Sequence, residues 1–238
     1  FIDRELTTED GVFYSSLDAD SEGVEGEYYV WTPDEIKSIL EKDDAELIIK
    51  MFGITESGNF EHGKSVPNIL KDPAAYAGDF YLEEPQFIEK LEKLKKQLLE
   101  VREKRVRPGL DEKVLTSWNS LMISGLLAGY RAEHEPVYLE RARKAATFIL
   151  NTLVKDDRIL RTWGRGTAKL NGYLDDYSYL VQALLDLSEV DPDPLWLDKA
   201  VKLNNAMLEF FWDEENGGFF YTSSDHEKLV IRTKSHFD

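Results

Sequence analysis

The stretch that most limits how this chain can fold is Asp111–Ala132, DEKVLTSWNSLMISGLLAGYRA. Between Val114 and Tyr130 it carries no charged residue, although 32% of the chain is charged. Val114, Leu115, Trp118, Leu121, Met122, Gly125, Leu126 and Gly129 recur at steps of three and four, the helical period. A helix without a charged face has little to offer water, so it is expected to be an inner helix enclosed by other helices. Its many hydroxyl and amide side chains make it a poor membrane span.

Composition narrows the function classes. The formal net charge of −17 argues against nucleic acid and anionic membrane surfaces as partners, since both need a cationic excess. With no cysteine, thiolate catalysis, disulfides and Cys-ligated metal sites are excluded within the chain. That fits a reducing compartment, and a cytoplasmic location is expected. The N-terminal run FIDRELTTEDG has neither an initiator Met nor a signal-type apolar run, and reads as a cut inside a longer protein.

Along the chain, GVFYSS and GEYYVW flank the turn-rich DADSEGVEG, so residues 1–31 are expected to form a β-hairpin region. Thr32-Pro33-Asp34-Glu35 is a capping box with Pro at the first helical position, opening short helices at 33–41 and 44–51. Residues 53–83 read as a long irregular excursion. From 85 to 212 the chain alternates outer helices with charged faces (85–105, 136–154, 195–212) and inner, apolar ones (112–132, 173–189). Inner-to-outer links are short and proline-marked, whereas two of the outer-to-inner links are long, aromatic and charged. The last segment, 213–238, is a second hairpin region, and GFFYTSSD within it repeats the earlier GVFYSSLD. The pattern is all-α with small β-hairpins, and it resembles an α/α toroid.

Several constellations are candidates for chemistry. Asp175 and Asp176 stand in the first turn of an inner helix, Asp176 on its apolar face. There a carboxylate is either a cap and dipole partner or a desolvated acid/base. Trp118 and Asn119 are either core residues or walls of a central pocket. Arg105, Arg107, Lys113, Arg158, Arg161, Arg165 and Lys169 gather in or beside the links, where they pair with carboxylates or hold an anion. Asp18-Ala19-Asp20-Ser21-Glu22-Gly23 opens like a calcium loop, but its twelfth position is Tyr29 where a bidentate Glu is needed, so no metal is expected. His62, His134, His226 and His236 show no ligand spacing. There is no Gly-rich phosphate loop or serine elbow, and no cofactor is expected.

Asp18–Ser21, Gly58-Asn59-Phe60-Glu61, Lys113–Asn119 and Gly172–Tyr177 occur in an order that resembles the thioredoxin-domain-containing, spermatogenesis-associated proteins and their bacterial relatives. Ser120, where such proteins often have Gly, is a small departure. The resemblance implies a partial (α/α)6 toroid of the six-hairpin glycosidase-like kind. Residues 1–238 would be a fragment of that single domain, and a thioredoxin-like domain would lie elsewhere in the full-length protein.

Two functions follow as expectations. In the first, a sugar is hydrolysed or epimerised by carboxylate acid/base chemistry. Asp176 would serve as acid/base, with Asp175, Asp18 or Asp225 as further carboxylates; Trp118, Asn119, Tyr14, Arg161, Trp163 and Arg165 would contact the substrate. In the second, the chain is a non-catalytic binding module working with the thioredoxin-like domain.

Overall fold

The computed structural model describes residues 1–69, 71–72, 74–80, 82–227 and 229–234. His236 and parts of the 53–83 and 213–238 segments lie outside the described residues. In chain order the helices are α1 (Ile2–Glu5), α2 (Pro33–Ile39), α3 (Lys42–Met51), α4 (Ala74–Ala77), α5 (Glu84–Arg102), α6 (Thr116–Glu133), α7 (Pro136–Thr152), α8 (Leu174–Ser188) and α9 (Pro194–Phe211). The fold is mostly helical with small antiparallel sheets. The chain divides into two compact units, one of residues 17–109 and one of residues 1–16 with 110–238.

In the 17–109 unit, α2 begins where the sequence places it. Thr32 Oγ1 accepts the Glu35 N–H at 3.2 Å, and Glu35 Oε2 accepts the Thr32 N–H at 2.7 Å. Ile36, Leu47, Ile48, Met51, Phe87, Leu91 and Leu94 then bury one face each of α2, α3 and α5 in a common core. Arg105 ties the following segment down. It donates to the Glu27, Tyr28 and Val30 carbonyls and to Glu35, and stacks over Trp31 with its guanidinium carbon 4.0 Å from the ring centre. The hairpin that forms here is smaller than GVFYSS pairing with GEYYVW. Asp20–Ser21 pairs with Val24–Glu25 inside the segment read as the turn, because Glu22 and Gly23 both take left-handed φ and close the chain within it. Trp31 pairs instead with Ser65.

In the other unit, α6 and α7 form one helical hairpin and α8 and α9 a second. The links are short because Pro136 and Pro194 each start the next helix in its first turn. The inner helices α6 and α8 pack directly on each other, as the alternation predicts. Ile123 and Leu127 of α6, Ala142, Ala146 and Ile149 of α7, Leu180 and Leu184 of α8 and Leu203 of α9 are all fully buried in one core.

A β-ribbon feeds this bundle. The strand Arg158–Gly164 pairs antiparallel with Val114–Leu115, with Val154–Lys155 and with Thr167–Asn171. Val114–Leu115 runs straight into α6, so the ribbon fixes where both α6 and α8 begin.

The first inner helix departs from the expected enclosure. The uncharged α6 is not enclosed all round: Trp118 is 53% and Leu121 50% exposed, and Gly125 and Ala128 on the same strip are exposed as well. Lack of charge therefore marks two packed faces and one open apolar strip.

Candidate site at the start of the second inner helix

The first turn of α8 carries the densest chemistry of its unit. Tyr173 holds the N-cap position with extended backbone, and Asp176, three residues on, reaches back so that its Oδ2 accepts the Tyr173 N–H at 2.9 Å. Asp176 is 0% exposed. Its Oδ1 accepts the Ser117 N–H at 3.0 Å from the first turn of α6, and its Oδ2 also faces Arg161 Nη1 at 3.3 Å. One carboxylate thus satisfies orphan amides of two helix starts and meets the central ribbon strand.

Burial pushes the Asp176 carboxyl up to about 6; the Tyr173 amide, Arg161 and the Ser117 amide oppose the rise, while the Asp175 charge adds to it. Burial works against the Arg161 charge too, but Asp176 and Asp175 outweigh it and hold the guanidinium above its ordinary value.

Asp175 is half-buried. Its Oδ1 accepts the Asp176 N–H at 3.1 Å and lies 3.6 Å from Arg161 Nη1, and its Oδ2 accepts from the Tyr221 hydroxyl at 3.4 Å. Around these groups the flat faces collect. Tyr173 stacks near-parallel on Tyr221, centroids 5.1 Å apart, and on His226 at 5.4 Å, while the Arg161 guanidinium lies 4.6 Å from the Tyr173 ring centre. Burial raises the Tyr221 hydroxyl above its ordinary value, with the Asp175 charge adding to it, so it stays a proton donor. Nearby, Arg158 Nη2 bonds Asp225 at 2.7 Å. Five enclosed polar atoms of this region, Ser117 Oγ, Arg158 Nη1, Thr222 Oγ1, Ser223 Oγ and His226 Nδ1, have no partner among the described residues.

The structure therefore gathers Asp175, Asp176 and Arg161 of the sequence-derived candidates, with Asp225 held by Arg158 on the same strand. The others are spent elsewhere. Asn119 is locked to the N-terminal segment, its Oδ1 accepting the Phe13 N–H at 2.8 Å and its Nδ2 donating to the Phe13 and Leu115 carbonyls. Trp163 sits edge-on to Phe148 with centroids 5.2 Å apart, Tyr14 packs against the core, and Trp118 lies on the open strip of α6. Arg165 occupies the left-handed turn of the ribbon, mostly exposed, 3.2 Å from Glu112. Asp18 belongs to the 17–109 unit, where its Oδ1 accepts the Asp20 N–H. Of the basic link residues, Arg105, Arg107, Lys113, Arg158, Arg161 and Arg165 all have carboxylate partners.

Tyr173, Tyr221, His226 and Ser117 join this constellation without having stood out in the sequence. Tyr221 and His226 had a signal in the aromatic, polar FFYTSSDH run, but nothing in it pointed to Asp175. Among the described residues, no group of three or more His, Asp or Glu is placed to hold a metal ion. Nor is any helix among them long and apolar enough to cross a membrane.

Comparison with known proteins places this architecture among relatives. No family model matches the chain. Human spermatogenesis-associated protein 20 is 29% identical over 259 residues, covering 94% of this chain and 33% of its own length. The mouse protein of the same name is 29% identical over 273 residues, covering 100% and 35%. The chain has homologues of that name and spans about a third of their length. Among solved structures, cellobiose 2-epimerase from Spirochaeta thermophila superposes on 48% of the chain and 30% of its own, with TM-score 0.43 and 17% identity. The unsaturated glucuronyl hydrolase of Bacillus sp. GL1 superposes on 93% and 58%, with TM-score 0.43 and 12% identity.

Proposed function

We propose that the helical unit handles a sugar at the start of α8, with Asp175 as the carboxylate that meets the ligand and Asp176 as its buried support. One observation carries the reading: two adjacent carboxylates share a single guanidinium beside a set of stacked rings. Ring faces suit the C–H faces of a pyranose, and a half-exposed carboxylate suits its hydroxyl pairs. The unspent hydrogen-bonding capacity of His226 and Arg158 suits a polyhydroxylated ligand in the same way.

Asp176 is fully enclosed, so it acts through its neighbours. Its negative charge anchors Arg161, and Arg161 in turn orients Asp175. Asp175 then exchanges a proton with the sugar, and Tyr221, which donates to it, can return one. Epimerisation would use such a pair on the ring-opened sugar, at the carbon beside its carbonyl, one group taking the proton from one face and the other returning one to the opposite face. Hydrolysis needs a second carboxylate, and Asp225, fixed by Arg158, is the one at hand.

The exposed strip of Trp118, Leu121, Gly125 and Ala128 supports a second reading. A flat apolar strip on a rigid helix suits a protein surface, and the partner would be a thioredoxin-like domain of the full-length protein.

Thermal melts of the wild type and Asp175→Asn with a panel of neutral sugars test the first reading. It expects at least one sugar to raise the wild-type melting temperature and the variant to lose that shift. It fails when no sugar moves the wild type, or when the variant keeps the whole shift.

A further inference from the structure

We infer that the ligand is a sugar bearing a free ammonium group, an amino sugar, rather than a neutral sugar or a uronic acid; this rests on the sugar site proposed above. The inference comes from the charges that face the site. From α8 come Asp175 and Asp176, from the ribbon strand Arg158 and Arg161, and from the segment after α9 Asp225 and His226. The carboxylates outnumber the guanidinium groups, and each guanidinium already faces a carboxylate. Arg161 is divided between Asp175 at 3.6 Å and Asp176 at 3.3 Å, and Arg158 is held by Asp225 at 2.7 Å.

Other cations close in sequence are committed as well. Arg232 gives its N–H groups to the Thr222 and Phe210 carbonyls, and Lys234 pairs with Asp213. Lys169 stands opposite Thr162 in the ribbon ladder, and alternation puts it on the other face from Arg161. A uronate carboxylate would have to take Arg161 from two carboxylates already seated on it, and would then face both of them across a few ångströms.

An ammonium group meets the opposite situation. Asp175 is half-exposed and bears more negative charge than its shared guanidinium offsets. The rings of Tyr173, Tyr221 and His226 are turned on one another and the Tyr173 ring already carries the Arg161 guanidinium, so the group that meets the ammonium is Asp175. The cleft that shares Arg158 is acid-rich too, lined by Asp156, Asp157 and Glu209 against Arg158 and Lys202. Lys202 there is already paired with Asp198, and Asp157 with Lys199, which leaves Asp156 and Glu209 as its acids.

The test is calorimetric titration of the whole chain with glucosamine, glucose and glucuronate at neutral pH and low salt. The inference expects glucosamine to bind about tenfold tighter than glucose, and glucuronate weakest. That preference should shrink toward unity in high salt, and in Asp175→Asn glucosamine and glucose should bind alike. The salt series on the wild type answers the question even where the variant folds poorly. Glucose binding as tightly as glucosamine, or glucuronate binding tightest, overturns the amino-sugar inference and leaves the sugar site standing. Binding of none of the three overturns both.

Discussion

Arg161 Nη1 stands 3.3 Å from Asp176 Oδ2 and 3.6 Å from Asp175 Oδ1, so one guanidinium serves an enclosed carboxylate and a half-exposed one at once. The enclosed partner fixes the arginine, and the half-exposed partner is left short of positive charge. Replacing Arg161 should therefore act on both. In Arg161→Met the buried Asp176 charge loses the cation paired with it, and the variant is expected to unfold about 2–4 kcal/mol more easily in urea at neutral pH. A loss below about 0.5 kcal/mol would show that the ion pair is idle.

The titration of Asp176 gives a signed prediction. Its folded-state pKa of about 6 lies above the ordinary carboxylate value of 3.8. Between those values the folded state binds more protons than the unfolded one, so this group's contribution is full below the unfolded pKa and is lost as pH rises through about 6. Comparing urea stability of the wild type with Asp176→Asn at a series of pH values isolates the effect. The wild type should lose about 2 kcal/mol relative to the variant from pH about 4 to 7. A difference that stays flat with pH contradicts the burial argument.

Asp191 should behave with the opposite sign. Its Oδ2 accepts from Arg143 Nε at 2.6 Å and Trp196 Nε1 at 2.9 Å, joining α7 to the first turn of α9. Arg143 first, against the effect of burial, holds this carboxyl below the usual range. Its stabilisation is present above the unfolded pKa and disappears as pH falls through the lowered folded value. Asp191→Asn should thus melt lower than the wild type at neutral pH, and the gap should close in acid.

How much of this was legible in the sequence depends on how local the signal was. Thr32-Pro33-Asp34-Glu35 declared the start of α2, because a capping box is written within four residues. The starts of α7 and α9 were legible at Pro136 and Pro194 for the same reason. The position of Asp176 on the apolar side of α8 was also readable from helical spacing. Its partners were not: Ser117 is 59 positions away, and Tyr221 is 46 from Asp175. Pairings that distant depend on how helices dock and leave no trace in a period. The open strip on α6 was misread for a related reason. Missing charge distinguishes apolar faces from charged ones, but gives no sign of whether a neighbour covers them.

Asn119 is expected to be a latch. Its amide holds both the N–H and the carbonyl of Phe13, 106 positions away, in a buried setting. Asn119→Ala leaves those backbone groups unpaired and should cost about 2–3 kcal/mol. Asn119→Asp should cost more, since a carboxylate would face the Phe13 and Leu115 carbonyls. Hydrogen exchange is the sensitive readout: the Phe13 amide should lose protection first.

Trp118 separates the two functional readings. At 53% exposure it contributes little to the core, so Trp118→Ala should shift stability by less than about 1 kcal/mol. Under the sugar reading it leaves sugar binding intact. Loss of the sugar-induced melting shift in this variant would move the site from the α8 start to the α6 strip.

The most direct test of the account is amide chemical-shift mapping of the whole chain during titration with a sugar that raises its melting temperature. Ligand binding by Asp175 among the stacked rings predicts that the largest perturbations cluster at Tyr173–Ser178, around Arg161 and at Tyr221–His226. Perturbations confined to Trp118–Ala128 or to residues 17–109, or no saturable perturbation at all, would contradict it.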